Sequence, residues 1–319
     1  MARLLDYLRL LRIANVCTAL ADVLMGYACV QRQLAPLPPL AVLLTASALL
    51  YLAGMVLNDV FDLEIDRLER PERPLPAGRI LLSAARIWGF ALLLGGVAAG
   101  WAAALTAAPG ESLGRSGMVA SLLAACILAY DGGIKATWLG PVLMGGCRSL
   151  NVLLGASLAA TGGLATGGLM ASLLPFPPHV LVAAAGMGVY VAGVAWYARR
   201  EAAASEGWQL AGAILVMLGG LALLGLLHRN FPPGFRPSLP ERWWLLMLGL
   251  LGLPIARRCA LALADAGPER VQAAVKHCLM SIIVLDAAVV FVVAGGGAAL
   301  TVLSLLIPAL WLGRWIYST

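Results

Sequence analysis

Charge is what this sequence has least of. Only 12% of its 319 residues are Asp, Glu, Lys or Arg, about half the usual share of a soluble domain, while 61% are hydrophobic. A water-facing globule could not clothe itself from that supply, so a soluble fold is excluded. Histidine is scarcer still. His179, His228 and His277 are scattered, and the first two fall away from the basic loops, which argues against a zinc or haem centre. The six cysteines (Cys17, Cys29, Cys126, Cys147, Cys259, Cys278) lie in or beside apolar stretches at no metal-like spacing and imply no disulfide framework. No disordered tail, linker or soluble segment interrupts the chain, and residues 1–319 read as one integral membrane domain.

What the chain has instead is long apolar runs. A helix needs about 20 mostly apolar residues to cross a bilayer. About ten candidate spans meet or approach this, at 13–31, 37–57, 84–106, 117–131, 139–162, 180–198, 208–227, 243–263, 277–296 and 299–317. The 117–131 segment is short, and the Gly295–Gly297 break either separates two helices or kinks one. The expected fold is therefore all-α, a polytopic transmembrane bundle of about nine or ten helices. The first span follows Arg3, Arg9 and Arg12 as a signal sequence would, but its length and the spans after it mark a retained helix. Thirty-six glycines suit close helix packing, and Trp243 and Trp244 read as interfacial anchors.

With ten spans, 17 of the 22 basic residues fall on one side of the membrane. The other side holds only Arg32, Arg115, Arg229, Arg236 and Arg242. This asymmetry makes the basic side cytoplasmic. It also accounts for the net charge of +6 without a nucleic-acid partner.

One cytoplasmic loop gathers charges of both signs. Residues 58–66 read NDVFDLEID directly after the second apolar run, so Asn58, Asp62 and Asp66 follow one another at four-residue steps along one helix face, with Asp59 flanking it. Carboxylates crowded at a membrane helix end repel and are costly to bury. They are either neutralised by Arg67, Arg70, Arg73 and Arg79, or they hold a hard divalent cation such as Mg2+. In the second case the neighbouring arginines make sense as diphosphate clamps. Pro71, Pro74, Pro76 and Gly78 stiffen the loop that carries Arg67 and Arg73.

The pattern Asn58-x3-Asp62-x3-Asp66, followed by RPERPLPAGRI at the end of the second span, resembles the UbiA superfamily of intramembrane prenyltransferases. Tyr130 and Lys135 in YDGGIKATWLG are similar to the family's Tyr…Lys stretch, and Arg12 and Asn15 to its early polar positions. The CRSLN stretch at 147–151 and the closing RWIYST resemble an EboC-like branch. The resemblance implies Mg2+-dependent transfer of an isoprenyl group from a prenyl diphosphate to an aromatic or other lipophilic acceptor in the bilayer. Asn58, Asp59, Asp62 and Asp66 would hold metal. Arg67, Arg73 and Lys135 would grip phosphate, and Tyr130 would orient the diphosphate or face the developing cation. Arg148 and Asn151 would border the substrate pocket with Arg12 and Asn15. Asp131 and the intramembrane Asp286 are further candidates, the latter either lining the acceptor cavity or bonding a neighbouring helix.

The resemblance weakens at the family's second acidic motif. The corresponding YARREAAASEG offers Glu201 and Ser205, with Glu206 one residue on and Arg199 and Arg200 ahead. Glu201 with Ser205 or Glu206 forms a variant metal site, or the arginines replace the second ion. The remaining alternative is a non-catalytic isoprenoid-binding carrier or accessory protein.

Overall fold

A computed structural model of the chain describes residues 2–106, 114–158, 176–200, 207–264 and 267–315, and every regular element within them is a helix. In lipid, the backbone of an apolar run has no solvent to bond with, and an α-helix closes its hydrogen bonds within the segment. The order is α1 (Ala2–Leu10), a 3-10 turn (Ile13–Asn15), α2 (Val16–Gln31), α3 (Leu37–Phe61), α4 (Leu63–Glu69), α5 (Leu82–Ala102), α6 (Arg115–Asp131) and α7 (Gly140–Gly155). It continues with α8 (Pro178–Tyr197), α9 (Gly207–Gly225), α10 (Glu241–Ala264), α11 (Pro268–Ala294), α12 (Gly296–Leu303) and α13 (Leu306–Trp315). Pro38, Pro141, Pro178 and Pro268 stand at the starts of α3, α7, α8 and α11, where a missing N–H costs nothing.

Eight segments among the described residues are long and apolar enough to cross a bilayer. Two of the ten expected spans are not among them. α6 has 17 residues and α7 has 16, with the end of the expected 139–162 span outside the described residues. Both nevertheless pack inside the bundle, α6 against α5 and α7, and α7 against α2 and α8. The penultimate helix starts at Pro268 rather than near 277, because its first turns carry the charged PERVQAAVKH and hydropathy underrates them. Gly295, at φ +84°, ends α11 and separates it from α12. The last crossing is itself divided at Ser304–Leu305.

Glycine sets the position of the helix that matters most. A Cβ on Gly26 would stand 2.0 Å from the Val152 carbonyl oxygen, and one on Gly155 would stand 2.2 Å from that of Val23. α2 and α7 therefore touch backbone to backbone, as small residues allow in membranes. This contact presses the Arg148 and Asn151 side of α7 against α2. One hydrophobic core runs from Val16 to Ala309. A smaller one, built from Leu10, Val56, Val60, Leu63, Leu75, Ile80 and Ala85, seats α1 and the proline-rich loop on the α3–α4 junction. Trp243 is half exposed, as expected of an anchor. Trp244 is not an anchor: it is fully buried and donates its indole N–H to the Leu224 carbonyl at 3.0 Å.

Candidate functional site

The acidic motif lies where α3 bends into α4. Asp62 is the hinge (φ −89°, ψ 4°), yet helical hydrogen bonds run through it: the Asp62 amide donates to Asn58 at 2.9 Å and the Asp66 amide to Asp62 at 2.8 Å. The motif thus keeps helical geometry but divides between two faces. Each four-residue step advances about 40° around a helix, so Asp66 lies about 80° from Asn58 and only about 20° from Asp59.

The contacts follow those angles. Asp59 and Asp66 are both buried and share the Arg73 guanidinium, whose Nη1 lies 2.7 Å from Asp66 Oδ2 and 3.3 Å from Asp59 Oδ1. Arg12 reaches Asp59 Oδ1 at 2.7 Å. Asn58 and Asp62 face the end of α6 instead. Asn58 donates its amide to Asp131 Oδ1 at 2.9 Å, and Lys135 Nζ pairs with Asp62 Oδ1 at 2.6 Å. The expectation that Asn58, Asp62 and Asp66 present one common face is therefore corrected: Asp66 belongs with Asp59.

The proline-rich loop is packed and internally bonded. Leu75 and Ile80 are buried, backbone bonds link Ala77 to Arg73 and Gly78 to Leu75, and Gly78 takes φ +70°. Arg79 pairs with Asp6 of α1 at 3.4 Å and donates to the Glu72 carbonyl. Arg73 is held inside this fold, 7% exposed. Arg67 points elsewhere: it is exposed and pairs with Glu64 at 2.8 Å, one helical turn away.

Across from α3, the chain leaves α6 at Tyr130 and Asp131 and turns at Gly132–Gly133, where Gly133 adopts φ +132°. A 3-10 turn (Ile134–Ala136) then aims Lys135 back at Asp62. Arg199, at the end of α8, donates to the Ala136 carbonyl at 2.6 Å and braces this turn. Arg200 follows it in a short 3-10 turn, and its side chain lies outside the described residues, as do Glu201, Ser205 and Glu206.

A cavity of about 190 Å³ opens between α2, α3, α6 and α7. Its mouth is lined by Arg12, Asn58, Tyr130 and Asp131, its walls by Leu50, Met55, Leu123, Ile127 and Met144, and its floor by Ser47, Arg148 and Asn151. Tyr51 also lines it, and its hydroxyl meets Asn15. The sequence reading passed over Ser47 and Tyr51. A signal was available, because both fall within about 20° of Asn58 on the α3 wheel, Tyr51 seven residues before it and Ser47 eleven.

The floor is a polar network joining three helices. Arg148 donates from Nη1 to Asp22 Oδ2 and from Nη2 to Thr18 Oγ1, both at 2.7 Å. Asn151 donates to the Ala19 carbonyl at 2.8 Å and to Asp22 Oδ2 at 3.0 Å, and it accepts from Ser47 at 2.7 Å. Asp286 of α11 is fully buried and interacts with Asp22. It does not line the cavity.

A hard cation has suitable donors at the mouth. Asn58, Asp62 and Asp131 supply only oxygen ligands, and of the carboxylates here Asp131 is met by an amide rather than a cation. Lys135 Nζ is buried and, although close to Asp62, makes no hydrogen bond of good geometry, so it has capacity for an anionic ligand. Among the described residues no three His, Cys, Asp or Glu converge on one point.

These features define a polytopic helical membrane protein with a charged mouth leading into a largely apolar, intramembrane cavity. Residues 19–208, more than half of the chain, match the model of the UbiA prenyltransferase family, and the protein belongs to that family. It is 42% identical over 92 residues to digeranylgeranylglyceryl phosphate synthase of Methanoculleus marisnigri, covering 29% of this chain and 32% of that one. The corresponding enzyme of Sulfurisphaera tokodaii is 38% identical over 92 residues, with 28% and 33% covered. These matches span about a third of the length of those relatives. Among solved structures, a digeranylgeranylglyceryl phosphate synthase aligns at TM-score 0.61 and 19% identity over 92% of this chain and 99% of that one. An apo UbiA homologue from Aeropyrum pernix K1 aligns at 0.57 and 22%, with 86% and 96% covered. Both share the fold.

Proposed function

We propose that the protein transfers an isoprenyl group from a prenyl diphosphate to a lipophilic acceptor inside the bilayer, releasing pyrophosphate. The observation that carries this reading is the pairing of Asn58, Asp62, Asp131 and Lys135 at the mouth of an apolar cavity. Family membership and the partial likeness to digeranylgeranylglyceryl phosphate synthases support it.

In this reading the diphosphate sits at the mouth and the isoprenyl chain enters the bundle. Lys135 contributes donors to the phosphate oxygens. Arg12 does so too while keeping its pair with Asp59, and Arg199 supports the Lys135 turn. Arg73 holds Asp59 and Asp66 in register rather than reaching outward. Arg67 would have to leave Glu64 to take part. Asn58, Asp62 and Asp131 would hold Mg2+, with Asp59 and Asp66 behind them. Bound there, Mg2+ would offset the charge that develops on the leaving diphosphate. The allylic C–O bond breaks with its electron pair going to pyrophosphate, and the acceptor's nucleophilic atom bonds to that carbon. The acceptor loses a proton in the process, which the departing pyrophosphate takes up. Tyr130 presents its ring to the carbon as positive charge develops there. By the distribution of its basic residues, the mouth faces the cytoplasm.

The test is pyrophosphate release from purified protein given Mg2+, a panel of prenyl diphosphates and lipophilic acceptors. Release should depend on Mg2+ and fall on the order of 10³-fold in Asp62→Ala. Full activity in that variant would refute the assigned role. Tight prenyl diphosphate binding with no release across the panel would identify an isoprenoid-binding protein instead.

A further inference from the structure

We propose that the cavity floor built on Arg148 selects an acceptor whose polar end is uncharged and bears hydroxyl groups, and that it rejects carboxylate and phosphate heads. This rests on the prenyl-transfer reading for its context, and it names the acceptor class of the same site. The floor lies well below the mouth. Ser47 is eleven residues, about 16 Å, from Asn58 along α3, and Arg148 reaches in to Thr18, whose hydroxyl donates to the Asn15 carbonyl below Arg12. A group bound there lies across the apolar walls from Asn58 and Asp131, and we assign it to the acceptor. A polar floor also offers poor lodging to an isoprenyl tail, which leaves this arm of the cavity to the other substrate.

Size and charge narrow that substrate. The cavity, near 190 Å³ from mouth to floor, exceeds the roughly 150 Å³ void that takes up benzene, and because the diphosphate shares its mouth it sets an upper bound of one substituted six-membered ring for the acceptor head. An arginine on a pocket floor normally suggests an anionic ligand. Here its charge is already answered. Asp22 and Asp286 are both 0% exposed, Asp22 takes an Nη1–H of Arg148 at 2.7 Å, and Asp286 stands against Asp22. The Arg148–Asp22 ion pair, with Nη1 2.7 Å from Oδ2, balances the guanidinium charge within the floor. An anionic head would thus be buried without a net counter-charge, at a high desolvation cost. Hydrogen-bonding capacity does remain. Asp22 and Thr18 engage two of the five guanidinium N–H groups, and the Tyr51 and Ser47 hydroxyls line the same space. Donors and hydroxyls around an electrically balanced core recognise hydroxyl groups.

Binding can be measured without turnover, on the full-length protein in lipid nanodiscs, by competition calorimetry with three matched probes. These are 4-hydroxybenzyl alcohol, 4-hydroxybenzoate and 4-hydroxyphenyl phosphate. The alcohol should bind at least about tenfold more tightly than either anion. Asp22→Asn removes one carboxylate from beside Arg148, and in that variant the preference should shrink about tenfold or invert toward the carboxylate probe. Arg148→Gln should lose the alcohol while still binding geranyl diphosphate with Mg2+. Equal or tighter binding of either anion by the unaltered protein would overturn the proposal, and this holds even if neither variant folds. Failure of the alcohol to bind at all would also overturn it. Loss of Mg2+-dependent geranyl diphosphate binding in the unaltered protein would instead refute the prenyl-transfer reading.

Discussion

The two ends of the bundle close in opposite ways. At the mouth, charged side chains of both signs tie together elements far apart in sequence: Arg12 to Asp59, Arg73 to Asp66, and Lys135 to Asp62. At the other end the fastening is aromatic. Phe231 and Phe235 stack at 4.1 Å, His179 packs on both, and Arg32 lies 4.3 Å over the Phe235 ring while donating to the Arg236 carbonyl. His179 and His228 meet the carbonyls of Cys29 and Leu239. The described contacts at this end are stacked rings, a cation over a ring and bonds to backbone carbonyls. Carboxylates buried at the mouth carry a desolvation penalty, and the proposed function accounts for it by what they bind.

Variants can separate the two ends. The largest effect on rate after Asp62→Ala belongs to Lys135→Ala, which removes the buried ammonium beside Asp62. It should slow pyrophosphate release about 10²-fold while leaving thermal unfolding in detergent nearly unchanged. A large loss of stability with normal turnover would make Lys135 a structural brace. Arg73→Ala should do more to the fold. It leaves Asp66 buried without its cation and Asp59 with Arg12 alone, at a cost of about 3 kcal/mol by chemical denaturation. At the opposite end, Phe235→Ala removes a stacked ring and the surface under Arg32. It should cost about 1–2 kcal/mol and leave turnover within about twofold. If Phe235→Ala instead reduced turnover as Lys135→Ala does, the division between a functional and a structural end would fail.

Much of this architecture is legible in the sequence, and the exceptions have physical causes. Helix positions follow from apolar runs, except where charged first turns hide the start of α11 or where α6 and α7 fall short of a full span. The acidic motif stands out because charge is scarce, but spacing alone misleads about its faces. Four-residue steps look like one stripe, yet their 40° drift carries Asp66 round to Asp59. The stripe of Ser47, Tyr51 and Asn58 was readable by the same arithmetic. The floor was only half readable: Arg148 and Asn151 attract notice as polar residues in a span, whereas their partner Asp22 is 126 residues from Arg148 and no local pattern joins them. Trp244 shows the converse, since an aromatic pair at a helix start fits an interfacial belt until packing draws one ring inside.

The smallest expected effect is also the sharpest test of how far the mouth extends. Arg67 directly follows Asp66 and looks in sequence like a phosphate clamp, yet its side chain is about half exposed and pairs with a Glu64 that is exposed in turn. Exposed pairs one turn apart on a helix contribute little, because water screens the attraction and ordering two long side chains opposes it. Arg67→Ala should therefore change stability by less than about 0.5 kcal/mol. If Arg67 remains with Glu64 during turnover, the KM for prenyl diphosphate should stay within about threefold. A tenfold rise in KM with unchanged kcat would mean that Arg67 exchanges Glu64 for a phosphate oxygen when substrate arrives. In that case α4 belongs to the binding surface, and the boundary between the charged mouth and its solvated rim moves outward by one helical turn.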